Sequence, residues 1–96
     1  ILRLRDAIRP DEVNTPVRRV CYIAQLALSG DATPADARRQ VLLGIEQLSQ
    51  ALRDEDSRAS LNAATMAVMA EDFYRTLKSL RALLPREARL LSASAP

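Results

Sequence analysis

The chain has no histidine and no tryptophan, one cysteine (Cys21) and two glycines (Gly30 and Gly44). Each shortage excludes something. Without histidine, the commonest general base and the commonest metal ligand are missing. One cysteine makes neither an internal disulfide, nor a cysteine-rich zinc site, nor an iron–sulfur cluster. Two isolated glycines form no phosphate-cradling loop. The aromatics are Tyr22, Phe73 and Tyr74 alone. No apolar run approaches the ~18 residues of a membrane span, and no segment resembles a signal peptide. What is present suits one small domain: 96 residues, 48% hydrophobic and 27% charged, which is too apolar for a disordered tail. Composition therefore points to a soluble helical domain with no catalytic residues, cofactor or metal, and with neither a membrane nor a small-molecule substrate as partner.

Charge is nearly balanced, 14 Lys and Arg against 12 Asp and Glu, and Lys78 is the only lysine. The preference for arginine fits a GC-rich genome and equally fits bidentate binding of phosphate or carboxylate. Its distribution is uneven. Arg3, Arg5, Arg9, Arg18 and Arg19 face only Asp6, Asp11 and Glu12 in residues 1–30. Residues 31–56 are acidic, and between Arg75 and Arg89 Glu87 alone opposes Arg75, Lys78, Arg81, Arg86 and Arg89. Basic ends around an acidic middle suit a polyanionic partner, and equally suit charge complementarity within the fold.

Leu2, Leu4 and Asp6 alternate with Arg3 and Arg5, which predicts a short strand or extended arm over residues 1–8 that pairs with another segment or lies on the helices. Residues 10–16, with two prolines, read as a loop. Thr15-Pro16 then predicts a helix start and Gly30 a left-handed stop. Within it, Val17, Val20, Cys21, Ala24, Ala27 and Leu28, broadened by Ile23 and Leu26, mark a helix for the middle of a bundle. Thr33-Pro34 opens a second helix with Ala37, Val41, Ile45, Leu48 and Leu52 inward. Gly44 within it predicts a close helix–helix approach. Asp56 or Ser57 is the expected cap of a third helix bearing Leu61, Ala64, Thr65 and Val68. Phe73, Leu77, Leu80 and Leu84 mark a fourth, with Glu71 and Arg75 as an i,i+4 pair and Pro85 as its stop. Helices are thus expected over 16–29, 34–53, 57–70 and 72–84. The predicted fold is all-α: a small antiparallel bundle or hairpin array of about four helices. Residues 1–14 form an extended arm, 15–91 the helical domain (Arg86 to Leu91 adding a turn), and 92–96 a frayed tail.

Candidate chemistry is sparse. Cys21 sits on an apolar face with no histidine to activate it, which reads as a buried structural thiol. Asp54-Glu55-Asp56 lacks calcium-loop spacing and reads as solvated helix-end charge. For nucleic acid, the candidates are Arg3, Arg5 and Arg9 on the arm, Arg18 and Arg19 at the first helix start, and the edge Arg75, Lys78 and Arg81. Tyr22 and Tyr74 stand beside these cations as stacking platforms. Solvated faces and salt bridges account for the same cations. For a partner helix, Met66 and Met69, followed by Phe73 and Leu77, suit an adaptable groove. Core packing accounts for them as well.

Taken together, Leu2-Arg3, Asp6, Ile8, Pro10, Val13, Thr15-Pro16, Arg18 or Arg19, and Tyr22 resemble the stretch that opens the helical part of the FlbT family, post-transcriptional regulators of flagellin synthesis in alphaproteobacteria. Met69-Ala70-Glu71-Asp72-Phe73-Tyr74-Arg75-Thr76-Leu77, continuing to Arg81, Leu83-Leu84, Glu87 and Leu90, is similar to the family's closing segment, where paired aromatics precede a cationic, Leu-rich helix. The middle, Gly30 to Ser60, matches only in its helical pattern. The resemblance implies a cytoplasmic regulator that binds the 5′ untranslated region of flagellin mRNA and controls its translation, alongside the small regulator FlaF. It also implies an N-terminal β-rich portion of which residues 1–8 are a remnant. Phe73-Tyr74 departs from the two tyrosines frequent in the family, and scarce lysine and an acidic centre weaken a simple RNA groove. The alternative is a helical adaptor, chaperone-like, that binds flagellin or a partner regulator.

Overall fold

The computed structural model describes residues 7–94; Arg3, Arg5, most of the expected strand and the last two residues lie outside them. A 3-10 turn, Pro10–Glu12, leads into five helices: α1 Pro16–Ser29, α2 Pro34–Ala51, α3 Glu55–Met69, α4 Phe73–Arg81 and α5 Leu84–Ser94. The chain is all-α, with no strand among the described residues.

The helix starts follow local chemistry. The Thr15 hydroxyl accepts the Arg18 N–H at 3.3 Å, and Thr33 does the same for Asp36, each satisfying an otherwise orphaned donor. Pro16 and Pro34 fill first-turn positions where no N–H is needed. Gly30 ends α1 at φ +82°, a conformation that favours glycine. The third start differs from expectation. Asp54, not Asp56 or Ser57, is the cap: its carboxylate accepts the Ser57 N–H at 3.1 Å and the Ser57 hydroxyl at 2.6 Å. The helix therefore begins earlier and places Glu55 and Asp56 in its electropositive first turn.

Further expectations change, and the helix expected over 72–84 is Phe73–Arg81, with Leu84 in the next helix. Glu71 lies outside α4, at φ 57°, and its carboxylate pairs with Arg38 at 3.3 Å while Arg75 pairs with Asp72 at 3.4 Å. Pro85 does not end a helix; it is the second residue of α5, within the turn where proline is tolerated. Regular backbone then runs through residues 92–94, which the sequence pattern leaves as tail.

Helix α1 is central, packed against α2 and α4 and touched by α5, while α3 packs on α4 and α2. Val17, Val20, Cys21 and Ala24 of α1 meet Ala37, Val41, Ile45 and Leu48 of α2, and Ile8, Leu52, Leu61, Ala64, Val68, Phe73, Leu77, Leu80 and Leu83 complete the core. Leu28, expected inward, is exposed at the end of α1. The close approach expected at Gly44 is present: a Cβ there would stand 2.1 Å from Val20 Cγ1.

Candidate nucleic-acid and partner surfaces

Arg18 and Arg19 are neighbours, but successive residues on a helix diverge by roughly 100°, and the two cations enter different seams. Arg18 lines a cleft of 240 Å³ between the start of α1 and α5, with Asn14, Thr15, Leu84, Glu87, Ala88 and Leu91. Arg19 lines one of 260 Å³ between α1 and α2, with Ile23, Gln40, Leu43 and Gln47. Arg9 is occupied by Asp11 at 3.7 Å and Glu12 at 3.5 Å. The Arg9 backbone N–H, and then the charges of Arg9 and Arg18, hold the Glu12 carboxyl below its ordinary value.

The segment before α1 lies along that helix. Ile8 is buried and hydrogen-bonded to Gln25, Glu12 feels the charge of Arg18, and Val13 packs on the core. Tyr22 stands between Arg18 and Gln25 on the same stripe and is half-buried against the core, so its ring is only partly available for stacking.

Tyr74 is different. It is 56% exposed and one turn before Lys78, with which no described carboxylate pairs; Arg81 follows on the same face. Arg81 is half-buried and its charge reaches Cys21. Lys78 and Arg75 also edge the widest of these hollows, a groove of 550 Å³ between α3 and α4 with Ala63, Met66, Ala67 and Ala70 along α3. Met66 is 77% exposed and Met69 is exposed too. The fold thus joins a methionine expected to hold a partner to two cations expected to hold RNA.

Phe73 and Leu77 correct the partner-groove expectation. Both are buried core residues, because the face of α4 that carries them packs on α1 and α3 and the groove is formed by the adjacent face. Sequence pattern also missed Gln25, Arg86 and Glu87, whose partners lie 17 to 72 positions away; no local spacing announces such contacts.

Burial pushes the Cys21 thiol up to about 12, Glu87 adding to the rise and Arg81 and Arg18 opposing it, so the sulfur is a protonated core group at neutral pH. Among the described residues no cluster of His, Cys, Asp or Glu could hold a metal ion, and no helix is long and apolar enough to cross a membrane. Asp54 and Asp56 are engaged by Arg86.

Comparison of the sequence with known proteins gives the chain its relatives. A family model described as "Flagellar protein FlbT" matches residues 1–91. The chain is 34% identical over 87 residues to a "Probable flagellum biosynthesis repressor protein FlbT" of Chelativorans sp. (strain BNC1), covering 90% of this chain and 59% of that relative. A protein of the same name from Mesorhizobium japonicum is 29% identical over 87 residues, with 91% and 59% covered. Another from Rhodopseudomonas palustris (strain TIE-1) is 31% identical over 93 residues, with 96% and 71% covered. The chain spans 59% of the length of the first two relatives. No solved structure matches it significantly.

Proposed function

The chain belongs to the FlbT family, and from that premise we propose that it regulates flagellin synthesis after transcription by binding the 5′ untranslated region of flagellin mRNA. The observation that carries the reading is Tyr74, an exposed ring one turn before Lys78, which no described carboxylate pairs and which edges the α3–α4 groove. An aromatic face beside cations is how single-stranded nucleic acid is held, with the base on the ring and phosphates on the charges. Arg81 extends the edge, Arg75 adds to it from its exposed ion pair with Asp72, and Arg18 and Arg19 supply phosphate contacts from the start of α1. Arg3 and Arg5, outside the described residues, belong to the same proposal; Arg9 and Tyr22 contribute less, being ion-paired and half-covered.

A fluorescence-anisotropy titration of the intact protein with the flagellin leader tests it. Affinity should fall with salt at a log–log slope of about −0.7 per phosphate contact. Tyr74→Ala should weaken binding by about 1–3 kcal/mol, and Lys78→Gln should flatten the salt slope. Binding absent at low salt, or indifferent to both substitutions, refutes direct recognition through this edge.

Met66, 77% exposed over the small side chains of α3, favours a second reading: a helical adaptor that takes an amphipathic helix of flagellin or of the FlaF regulator. Capture of flagellin that survives ribonuclease and is lost in Met66→Asp, with Lys78→Gln silent, selects the adaptor over the RNA binder.

A further inference from the structure

Arg86 and Glu87 are consecutive in the first turn of α5, yet they reach the starts of two different helices. Arg86 places Nη1 2.6 Å from Asp54 Oδ2 and Nη2 2.6 Å from Asp56 Oδ2, at the beginning of α3. The Glu87 carboxylate accepts the Val17 N–H at 2.8 Å and the Thr15 hydroxyl, at the beginning of α1. Glu87 is itself buried, so both its oxygens are committed where water is scarce.

The apolar side of α5 is much less engaged. Leu84 is half-buried, Ala88 and Leu91 are exposed, and a cleft of 240 Å³ separates this stripe from the start of α1. Little apolar area is removed from water along the helix, so its hydrophobic hold is small. Immediately before it, Leu83 is 1% exposed and fixed in the core. An element anchored at one end by a buried leucine and held along its first turn by charge has a lower opening free energy than the core beneath it. Arginine–carboxylate pairs at the surface also weaken as salt screens them.

We propose that α5 is a charge-latched strap, which pivots at Leu83 and opens as a unit while α1 to α4 stay folded. Opening bares the Val17 N–H, the Thr15 hydroxyl and the flank of Arg18. The strap is independent of what the surface beneath it binds.

Hydrogen exchange on the intact protein tests this, with wild type compared at low and high ionic strength and with Glu87→Gln and Arg86→Gln at low ionic strength. Amides of residues 86–94 and of Val17 should exchange about tenfold or more faster in high salt and in each variant, with the amides of residues 41–48 unchanged. The charge exchange Arg86→Asp with Asp56→Arg should restore slow exchange relative to Arg86→Asp alone. Three results overturn the proposal: α5 and α2 accelerate only together, neither salt nor substitution changes α5, or α5 already exchanges at the unstructured rate in wild type at low salt. The salt comparison needs no variant and decides the matter even if a substitution prevents folding.

Discussion

The side-chain amide of Gln25 treats Ile8 as a neighbouring strand would. Its Oε1 accepts the Ile8 N–H at 2.8 Å, and its Nε2 donates to the Ile8 carbonyl at 2.9 Å. Both residues are buried, so one side chain satisfies two backbone groups that cannot reach water. This is how Ile8 is fastened to α1: both of its backbone polar groups pair with a helix side chain.

Gln25→Leu keeps the volume and removes both partners. The arm must then peel into water or bury two unsatisfied groups, at about 1–3 kcal/mol. The expected result is a lower urea midpoint and, specifically, loss of protection at the Ile8 amide. An unchanged Ile8 exchange rate would show that the arm is held by something else.

Gly44→Ala should destabilise the protein even though alanine is the better helix former by about 1 kcal/mol. The added methyl meets Val20 Cγ1 at 2.1 Å, and Val20 is a buried β-branched residue with little rotamer freedom. A net loss of about 1–3 kcal/mol is expected in chemical unfolding. With Val20→Ala in the same chain, the two losses should sum to less than additivity predicts.

Glu71→Gly should go the other way. Glu71 occupies the left-handed region at φ 57°, which costs a side-chain-bearing residue about 1–2 kcal/mol relative to glycine. The lost ion pair to Arg38 is exposed and worth at most about 1 kcal/mol. Thermal unfolding should therefore show a gain of up to about 1 kcal/mol, and a clear loss would assign Arg38–Glu71 a larger role in joining α2 to α3.

Cys21 makes alkaline stability a readout of the core. Its ordinary value of 9.0 is raised to about 12, first by burial. Above pH 9 the unfolded thiol releases its proton while the folded one keeps it, so the unfolded state gains. The contribution is intact below pH 9 and is lost as pH rises from 9 towards 12. Unfolding midpoints from pH 7 to 10.5 should show this fall, and Cys21→Ala should lack that component of it. In the native protein at pH 8, a thiol reagent should label Cys21 only through opening, about 1,000-fold or more slower than in urea.

Much of the scaffold was legible along the chain, because its causes are local. Thr-Pro starts, the Gly30 stop and the inward stripe of α2 each depend on residues within a turn or two of one another. Gly44 was legible as well, since a glycine inside an amphipathic helix needs a packing reason. The surfaces were harder. Met66, Arg75 and Lys78 were recognisable singly, but Phe73 and Leu77 carry the same apolar signal whether they face a groove or the core. Which face of α4 is covered depends on where α1 and α3 come to lie.

The sequence by itself determined an all-helical chain, the two Thr-Pro helix starts, a close approach at Gly44 and an inert thiol, since propensity, capping and hydrophobic period act over a few residues. Only the tertiary structure decided that Gln25 would take Ile8, that Arg86 and Glu87 would secure α5 to α3 and α1, and that Tyr74 would stay exposed where Tyr22 did not. Those outcomes depend on groups up to 72 positions apart meeting in a desolvated space, where a hydrogen bond or charge acquires its partner only once the helices have packed.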